Sequence, residues 1–210
     1  MNANPGPDGF IDLRTLREQV RAATAAEVEE FCALPAIVVG DAPLARSVST
    51  GKIDTPSREL PVGKPVPPRR RGATGRQGRL AILAKRQKNP FADMVSLGRA
   101  INNDIVLALP SVSKMHGYFR KGAEGWTFTD PRSKNGTFVN GERLAQGAAR
   151  PLADGDVLQF GNDVLATFVS PERLHSRLVD GTFEDAIPPD LPGASGRPPL
   201  DPQKDTFIIE

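Results

Sequence analysis

Residues 125–141, GWTFTDPRSKNGTFVNG, combine alternating side chains with two tight-turn signals. Trp126 and Phe128 fall on one parity and threonines on the other, which is the period of a half-buried β-strand. Two Asn-Gly pairs follow, at 135–136 and 140–141. Such pairs favour type I′ turns because both central positions of that turn need positive φ. The stretch therefore predicts short strands that reverse at tight turns.

Short apolar or alternating runs extend this pattern in both directions. Each is bounded by Gly, Asn, Asp or Pro, and no amphipathic helix separates them. The runs are RLAILAKR (79–86), DMVSLGR (93–99), DIVLAL (104–109), DVLQFG (156–161) and VLATFV (164–169). The predicted fold class is all-β, an antiparallel β-sandwich over about residues 78–172. About 95 residues are enough to bury an independent core.

Three further segments flank the predicted sandwich. Residues 10–41 are predicted as an N-terminal helical segment, with apolar residues at helical spacing, that ends in a short strand, PAIVVGD (35–41). Asp12 or Thr15 can cap the start of the first helix. Residues 42–77 are rich in proline and basic residues and lack any period, which predicts a linker. Residues 173–210 are predicted as an acidic, Pro-rich C-terminal tail that is largely disordered.

The composition of the 210-residue chain indicates a cytoplasmic protein without a cofactor. No apolar run approaches the roughly 18 residues that span a bilayer, so no membrane span is expected. The N-terminus, MNANPGPDGF, lacks the basic and then apolar pattern of a signal peptide. The single Cys32 can neither form an internal disulfide nor build a cysteine zinc site, so no metal site is predicted.

Charge is distributed unevenly along the chain. Residues 64–88 carry nine basic side chains and no acidic one, whereas residues 180–210 carry seven acidic side chains against two basic ones. A basic block attracts nucleic acid, an anionic surface or the acidic tail, or is simply solvated. No aromatic residue is interleaved before Phe91, which argues against single-strand stacking. A regulator that contacts nucleic acid through residues 64–88 remains an alternative function. Nucleic acid is nevertheless not the partner that we expect.

The stretch SVSKMH (111–116) raises the choice between catalysis and binding, because Ser113 precedes His116 by three residues. No nucleophile elbow, phosphate loop or zinc-protease motif occurs, so an enzyme is not expected. Arg99, Ser113, Lys134 and Asn135 all lie at or next to predicted turns, which gather at one end of a sandwich. A guanidinium, a hydroxyl, an ammonium and an amide together suit a tetrahedral oxyanion.

Residues 97–161 resemble a forkhead-associated (FHA) domain in the order and spacing of six blocks. The blocks are Gly-Arg, Asn-Asp-Ile, Ser-x-x-His, Asp-x-x-Ser-x-Asn-Gly-Thr, Val-Asn-Gly, and Leu-x-x-Gly-Asp with Phe-Gly. The resemblance implies an FHA-type β-sandwich that recognises phosphothreonine peptides through loops at one end. A bacterial origin is expected.

The resemblance also implies a role for each matching residue. Arg99 and Ser113 would hold the phosphate, and Asn135 would hydrogen-bond the peptide main chain beside it. Lys134 would contact phosphate or peptide. His116 would brace the loops rather than take a proton. The backbone turns would be set by Gly98, Gly136, Asn140 and Gly141.

These expectations describe a signalling adaptor that binds proteins phosphorylated on threonine by Ser/Thr kinases. Its expected partners are a Ser/Thr kinase or the substrates of that kinase. Self-association through phosphorylated Thr182, Thr206 or Thr55 is a further hypothesis, because Thr182 has Asp185 three residues on, a spacing that several family members prefer. A phosphate-independent protein-interaction scaffold is the remaining alternative.

Overall fold

A computed structural model describes residues 3–40, 78–86 and 93–188 of the protein. Within these ranges the chain forms strands and a few short helices. The strands are β1 (Ile11–Asp12), β2 (Ala36–Gly40), β3 (Gly78–Ile82), β4 (Met94–Gly98), β5 (Ile105–Val106), β6 (Gly117–Gly122), β7 (Gly125–Thr129), β8 (Thr137–Val139), β9 (Glu142–Arg143), β10 (Ala149–Pro151), β11 (Val157–Phe160) and β12 (Val164–Val169). The helices are α1 (Leu13–Ala22), α2 (Ala25–Phe31), α3 (Pro171–Asp180) and a 3-10 helix, Phe183–Ala186.

The strands form two sheets that pack face to face, which confirms the predicted β-sandwich. One sheet has seven strands in the order β1-β3-β2-β12-β11-β8-β9, and the other has five in the order β10-β7-β6-β4-β5. Every described pair is antiparallel except β4 and β5, which pair in parallel at Leu97↔Ile105. Alternation along one strand does not reveal the direction of its neighbour, so this exception was not predicted.

The interior between the sheets is apolar and fully enclosed. Three phenylalanines, Phe119, Phe128 and Phe160, lie at its centre with 0% exposure. Phe119 and Phe128 meet edge to face with ring centroids 4.8 Å apart. Phe128 lies 5.4 Å from Phe160 of the opposite sheet. Aromatic contacts of this kind add about 1 kcal/mol each beyond the burial of apolar area.

Strands β1 and β2 lie outside the predicted sandwich range of 78–172 and yet belong to its larger sheet. Strand β2 is central in that sheet, between β3 and β12. Ile37 faces the interior between the sheets, while Val38 faces the opposite side, and both are fully buried. Burial on both faces explains why this strand reads as a continuous apolar run instead of an alternating one.

A second apolar layer covers the outer face of the seven-stranded sheet. It is built from α1, α2, α3 and the 3-10 helix. Asp12 caps α1 by accepting from the backbone N–H groups of Arg14 and Thr15. Helix α3 begins at its cap Ser170 and ends at Gly181, whose φ of +71° is left-handed. The structure thus differs from the prediction of a disordered tail from residue 173, because residues up to 188 complete this layer.

The predicted linker, residues 42–77, lies outside the described residues, but the places where it joins the sheet are defined. Val39 lies level with Ala166, Leu158 and Val139 across four strands. Strands β2 and β3 therefore meet the segment at Gly40 and Gly78, on the end of the sandwich where β8 begins. Across the three described ranges, we find no helix with the length and apolar character of a bilayer span.

Candidate functional site

Three loops converge at the end of the sandwich where β4 finishes and β8 begins. They follow β4 (99–104), precede β6 (107–116) and connect β7 to β8 (130–136). The first two are joined by backbone hydrogen bonds from Arg99 N to Ser113 O (2.9 Å) and from Ala100 N to Lys114 O (3.0 Å). We call this surface the rim.

Gly98 is required for the close approach of the first two loops. A Cβ at this position would lie 2.4 Å from Lys114 O and 2.9 Å from His116 N. Both atoms belong to backbone, which cannot move aside without breaking the loop pairing. The glycine of the Gly-Arg block is therefore a packing requirement, and it sets the position of Arg99 next to it.

The Arg99 side chain is exposed and is attached to the rim at one nitrogen. Its Nε donates to Val112 O at 3.2 Å. Among the described residues, no hydrogen bond or ion pair engages its terminal nitrogens. The guanidinium is therefore oriented and retains donors for a ligand.

Ser113 connects two loops through its side chain. Its Oγ accepts a 2.9 Å hydrogen bond from the backbone N–H of Lys134. A hydroxyl that accepts in this way still has its own proton to donate. Ser113 and Lys134 are thus held together, with the Lys134 side chain exposed beside them.

His116 is fully buried beneath the rim and bonds to backbone. Its Nδ1 accepts from the backbone N–H of Ser113 at 3.2 Å, so this nitrogen is not directed at the serine hydroxyl. Burial lowers the pKa of His116 below its usual 6.5, and the charge of Asp130 and the backbone of Gly136 partly oppose that effect. This buried histidine is thus bonded to the loop backbone, and in the described part of the chain no hydrogen bond joins it to the Ser113 hydroxyl.

Asn135 joins the rim from the third loop. Its Nδ2 donates to Ser111 O at 2.7 Å, which fixes the amide plane and leaves the carbonyl oxygen Oδ1 without a partner among the described residues. The side chain is half-buried. Gly136 follows with φ of +82°, and its carbonyl accepts from Gly161 N at 3.1 Å. The Asn135 side chain is therefore held by Ser111 of the second loop, and the backbone beside it is held by Gly161.

Asp130 and Ser133 stabilise the third loop through buried side-chain hydrogen bonds, a role that was not predicted from the sequence. Asp130 is 1% exposed and accepts from Ser133 N and Ser133 Oγ at 2.6 Å each, and from Thr137 Oγ1 at 2.9 Å. Ser133 Oγ in turn accepts from Gly136 N at 3.0 Å. The Asp-x-x-Ser spacing was the available signal, since short polar side chains bond to backbone nearby in this way.

Asn140 and Gly141 lie away from the rim, at the other end of β8. They form the β8–β9 turn with φ of +52° and +82°. Asn140 is bonded at both side-chain atoms, to Asp156 Oδ1 (2.8 Å) and from Val157 N (2.9 Å). Three strand residues separate the two turns, or roughly 10 Å. This turn stabilises the hairpin and does not contribute to the surface that holds Arg99 and Ser113.

The rim carries positive charge that no carboxylate neutralises among the described residues. Its exposed cations do not take part in any ion pair found there; they are Arg99, Lys114, Arg132 and Lys134. By contrast, the described members of the basic block, 64–88, are used within the fold. Arg79 pairs with Asp8 at 2.8 Å and Lys85 with Asp104 at 2.9 Å. Arg79 and Lys85 are therefore engaged within the fold, whereas the basic residues at 64–76 and Lys88 lie outside the described residues.

The structure places the chain among β-sandwich proteins, with a cationic loop rim at one end of the sandwich. The family model described as the FHA domain matches residues 95–161, about a third of the chain. This part of the protein is an FHA domain.

The chain also shares segments with curated proteins of two organisms. Over 64 residues it is 39% identical to the E3 ubiquitin-protein ligase DMA2 of Saccharomyces cerevisiae, covering 28% of this chain and 12% of the relative. Over 68 residues it is 44% identical to the ABC transporter ATP-binding/permease protein Rv1747 of Mycobacterium tuberculosis, covering 32% and 8%. The chain therefore spans about a tenth of the length of the curated relatives it matches.

Solved structures also match this region. The Mycobacterium tuberculosis protein EmbR, in complex with a low-affinity phosphopeptide, is 33% identical, with 37% of this chain and 20% of that chain covered and a TM-score of 0.34. The N-terminal FHA domain of Rad53p from S. cerevisiae, in complex with a phosphothreonine peptide, is 21% identical, with 46% and 88% covered and a TM-score of 0.38.

Proposed function

We propose that the protein is a phosphothreonine-peptide-binding signalling adaptor that docks proteins phosphorylated by Ser/Thr kinases. The observation that carries the proposal is the connection of Arg99, Ser113 and Lys134 across three loops, with donors left free. A phosphate dianion is larger and more highly charged than a carboxylate, and it takes several charge-assisted hydrogen bonds at once. The amide of Asn135, fixed beside these residues, suits the main chain of a peptide.

The same site supports binding rather than catalysis. The nitrogen of His116 that faces Ser113 already accepts a backbone hydrogen bond, and among the described residues no hydrogen bond joins the serine hydroxyl to a base. In the described ranges no group of three or more His, Cys, Asp or Glu residues could hold a metal ion. The ligand is held and released unchanged, and selection of the partner depends on the rim.

Calorimetric titration with a phosphothreonine peptide, its phosphoserine counterpart and its unphosphorylated form tests this function. We expect the phosphothreonine peptide to bind most tightly and the unphosphorylated peptide to give no measurable heat. Arg99→Ala should weaken binding by about tenfold to a hundredfold, since one charge-assisted bond contributes about 1.5–3 kcal/mol.

Lys121→Ala is the matched control for this titration. It removes the same charge from the far end of β6, at the β6–β7 turn, and should leave the dissociation constant unchanged. Equal binding of phosphorylated and unphosphorylated peptides would favour the phosphate-independent scaffold and overturn the proposal.

A threonine whose neighbours pack into the fold is a poor ligand, because binding would require those neighbours to unpack. Thr182 is an example. Thr182 is exposed, but the next residue, Phe183, is 0% exposed within the outer layer. A peptide that binds to the loops of the rim has to be extended. Extending the segment around Thr182 would expose Phe183, at a free-energy cost of about 2 kcal/mol or more. Thr182 is therefore disfavoured as a self-ligand. Thr55 and Thr206 lie outside the described residues.

Thr55 is a better candidate than Thr182 for a ligand within the same chain, because its segment joins the sheet at the end that carries the rim. Gly40 and Gly78 both lie at the end of the sandwich that carries the rim. Thr55 follows Gly40 by fifteen positions, a length of chain that can span up to about 50 Å. Phosphorylation at Thr55 should then reduce binding of an added phosphothreonine peptide, and Thr55→Ala should abolish that reduction.

A further inference from the structure

Two exposed apolar side chains lie within the cationic rim. Ile101 is 86% exposed, and Met115 is 37% exposed. Over residues 3–40, 78–86 and 93–188, one other large apolar side chain is exposed, Val179 on α3. Single apolar side chains on a surface are ordinary, but these two lie on adjoining loops, and we call the pair the apolar patch.

Backbone pairing brings the two side chains to the same part of the rim. Ala100, next to Ile101, donates to the carbonyl of Lys114, next to Met115, at 3.0 Å. Ile101 therefore lies two residues from Arg99, and Met115 lies two residues from Ser113. A peptide whose phosphate is held by Arg99 and Ser113 would therefore lie near this patch.

The loop that carries Ile101 is fixed by hydrogen bonds from the buried side chain of Asn103. Asn103 is 4% exposed, and its Nδ2 donates to Ala100 O at 2.8 Å and to Lys114 O at 2.7 Å. The backbone N–H of Asn103 also donates to Ala100 O, at 3.1 Å. Ile101 is thus presented on an ordered turn, so burying its side chain against a ligand requires little further ordering of the backbone.

We propose that Ile101 and Met115 form an apolar contact surface for an apolar side chain of the phosphorylated ligand. The inference rests on the proposed function, which it deepens by naming the ligand class: phosphothreonine peptides with an aliphatic or aromatic residue near the phosphate. The charged residues of the rim recognise any phosphate, whereas burial of an apolar side chain depends on the flanking sequence. Together they select a subset of phosphorylated partners.

A set of phosphothreonine peptides tests the patch. Each peptide has alanine flanks and a single leucine, which is moved through every position on either side of the phosphothreonine. Dissociation constants are measured by fluorescence anisotropy for the native chain, Ile101→Ser and Met115→Ser. We expect leucine at one position to tighten binding to the native chain by about tenfold, the effect of burying much of one apolar side chain.

The serine variants should lose that gain and bind the all-alanine phosphopeptide as the native chain does. Ile101→Leu keeps an apolar side chain and should retain the gain. Val179→Ser, which makes the same type of change on α3, should also retain it.

Two results overturn the proposal in distinguishable ways. If leucine gives no gain at any position, or the same gain with Ile101→Ser and Met115→Ser, the patch has no role while phosphothreonine binding stands. If the native chain binds none of the phosphopeptides, the proposed function itself is wrong and the inference falls with it.

Discussion

The hydroxyl of Ser113 accepts a 2.9 Å hydrogen bond from the backbone N–H of Lys134, and this bond joins two loops that are 21 residues apart in the chain. It fixes the direction in which the hydroxyl proton can point. The same serine donates its own N–H to His116, so its position is determined from two sides. The geometry of the rim therefore depends on contacts that cross between loops.

Replacement of Ser113 by alanine should weaken phosphopeptide binding by about tenfold or more, since a hydrogen bond to a charged group is lost. It also leaves the N–H of Lys134 without its acceptor, at a cost of about 1 kcal/mol in unfolding free energy. Ser111→Ala is the control, because Ser111 Oγ is buried and has no hydrogen-bond partner within the described part of the chain. Calorimetry and urea unfolding measure the two effects. If Ser113→Ala and Ser111→Ala lose the same affinity, Ser113 does not contact the phosphate.

Asn135 and Asn140 should respond differently to the same change. Asn135→Ala removes the bond to Ser111 O from the rim and should reduce both phosphopeptide affinity and stability. Asn140→Ala loses two side-chain bonds and places alanine at a positive φ, so it should cost about 2 kcal/mol in stability with affinity kept. Titration of folded variants separates the two effects. An Asn135→Ala protein with native affinity would show that this amide does not touch the ligand.

Stability should fall on mild acidification because of His116. Its pKa in the folded protein is lowered below 6.5 by burial, so the unfolded chain takes up the proton first. The stabilisation is complete above about pH 7 and is lost as the pH falls through 6.5 toward the folded pKa. Urea unfolding between about pH 7.5 and pH 5 should show this slope.

His116→Asn should reduce that slope, and His175→Asn should preserve it because His175 is exposed on α3. A slope that is the same in the His116 variant and the native chain would assign the pH dependence to other groups.

The buried carboxylate of Asp104 should be a major determinant of stability. It is 0% exposed and accepts from Ser96 N (2.8 Å), Ser96 Oγ (2.7 Å) and Arg86 N (2.7 Å), besides its pair with Lys85. Asp104→Asn should lower the free energy of unfolding by about 3 kcal/mol, because the amide cannot accept all these bonds. Glu124→Gln, at an exposed turn, provides the control. A loss no larger than that of the control would show that this network contributes little.

The central position of β2 predicts large effects from substitutions that lie outside the FHA-matching region. Ile37→Ala and Val38→Ala each remove a fully buried side chain, on opposite faces of the sheet. Each should cost about 2–4 kcal/mol, whereas Val179→Ala, which is exposed, should cost little. Thermal and urea unfolding measure these losses. Small effects in both variants would mean that β2 is dispensable for the sandwich.

The amino-acid sequence by itself determined the local features of the protein. The alternation around Trp126 and Phe128 predicted strand β7, and Asn140-Gly141 adopts the positive φ values that its turn signal predicted. The cap at Asp12 was likewise readable. These features depend on side-chain periodicity and on the backbone preferences of a few neighbouring residues, so a short window of sequence contains them.

Tertiary structure alone decided which distant segments meet. Strand β2 inserts beside β12, far along the chain, and the predicted tail contributes α3 to the outer layer. Three further features also appear only in the folded chain: the parallel pairing of β4 with β5, the bond between Ser113 and Lys134, and the exposure of Ile101 on the rim. Periodicity shows which face of a segment is buried, but it does not show against what. The partner is chosen by the packing of the whole core, where burial of apolar surface must outweigh the entropy of closing the connecting loops.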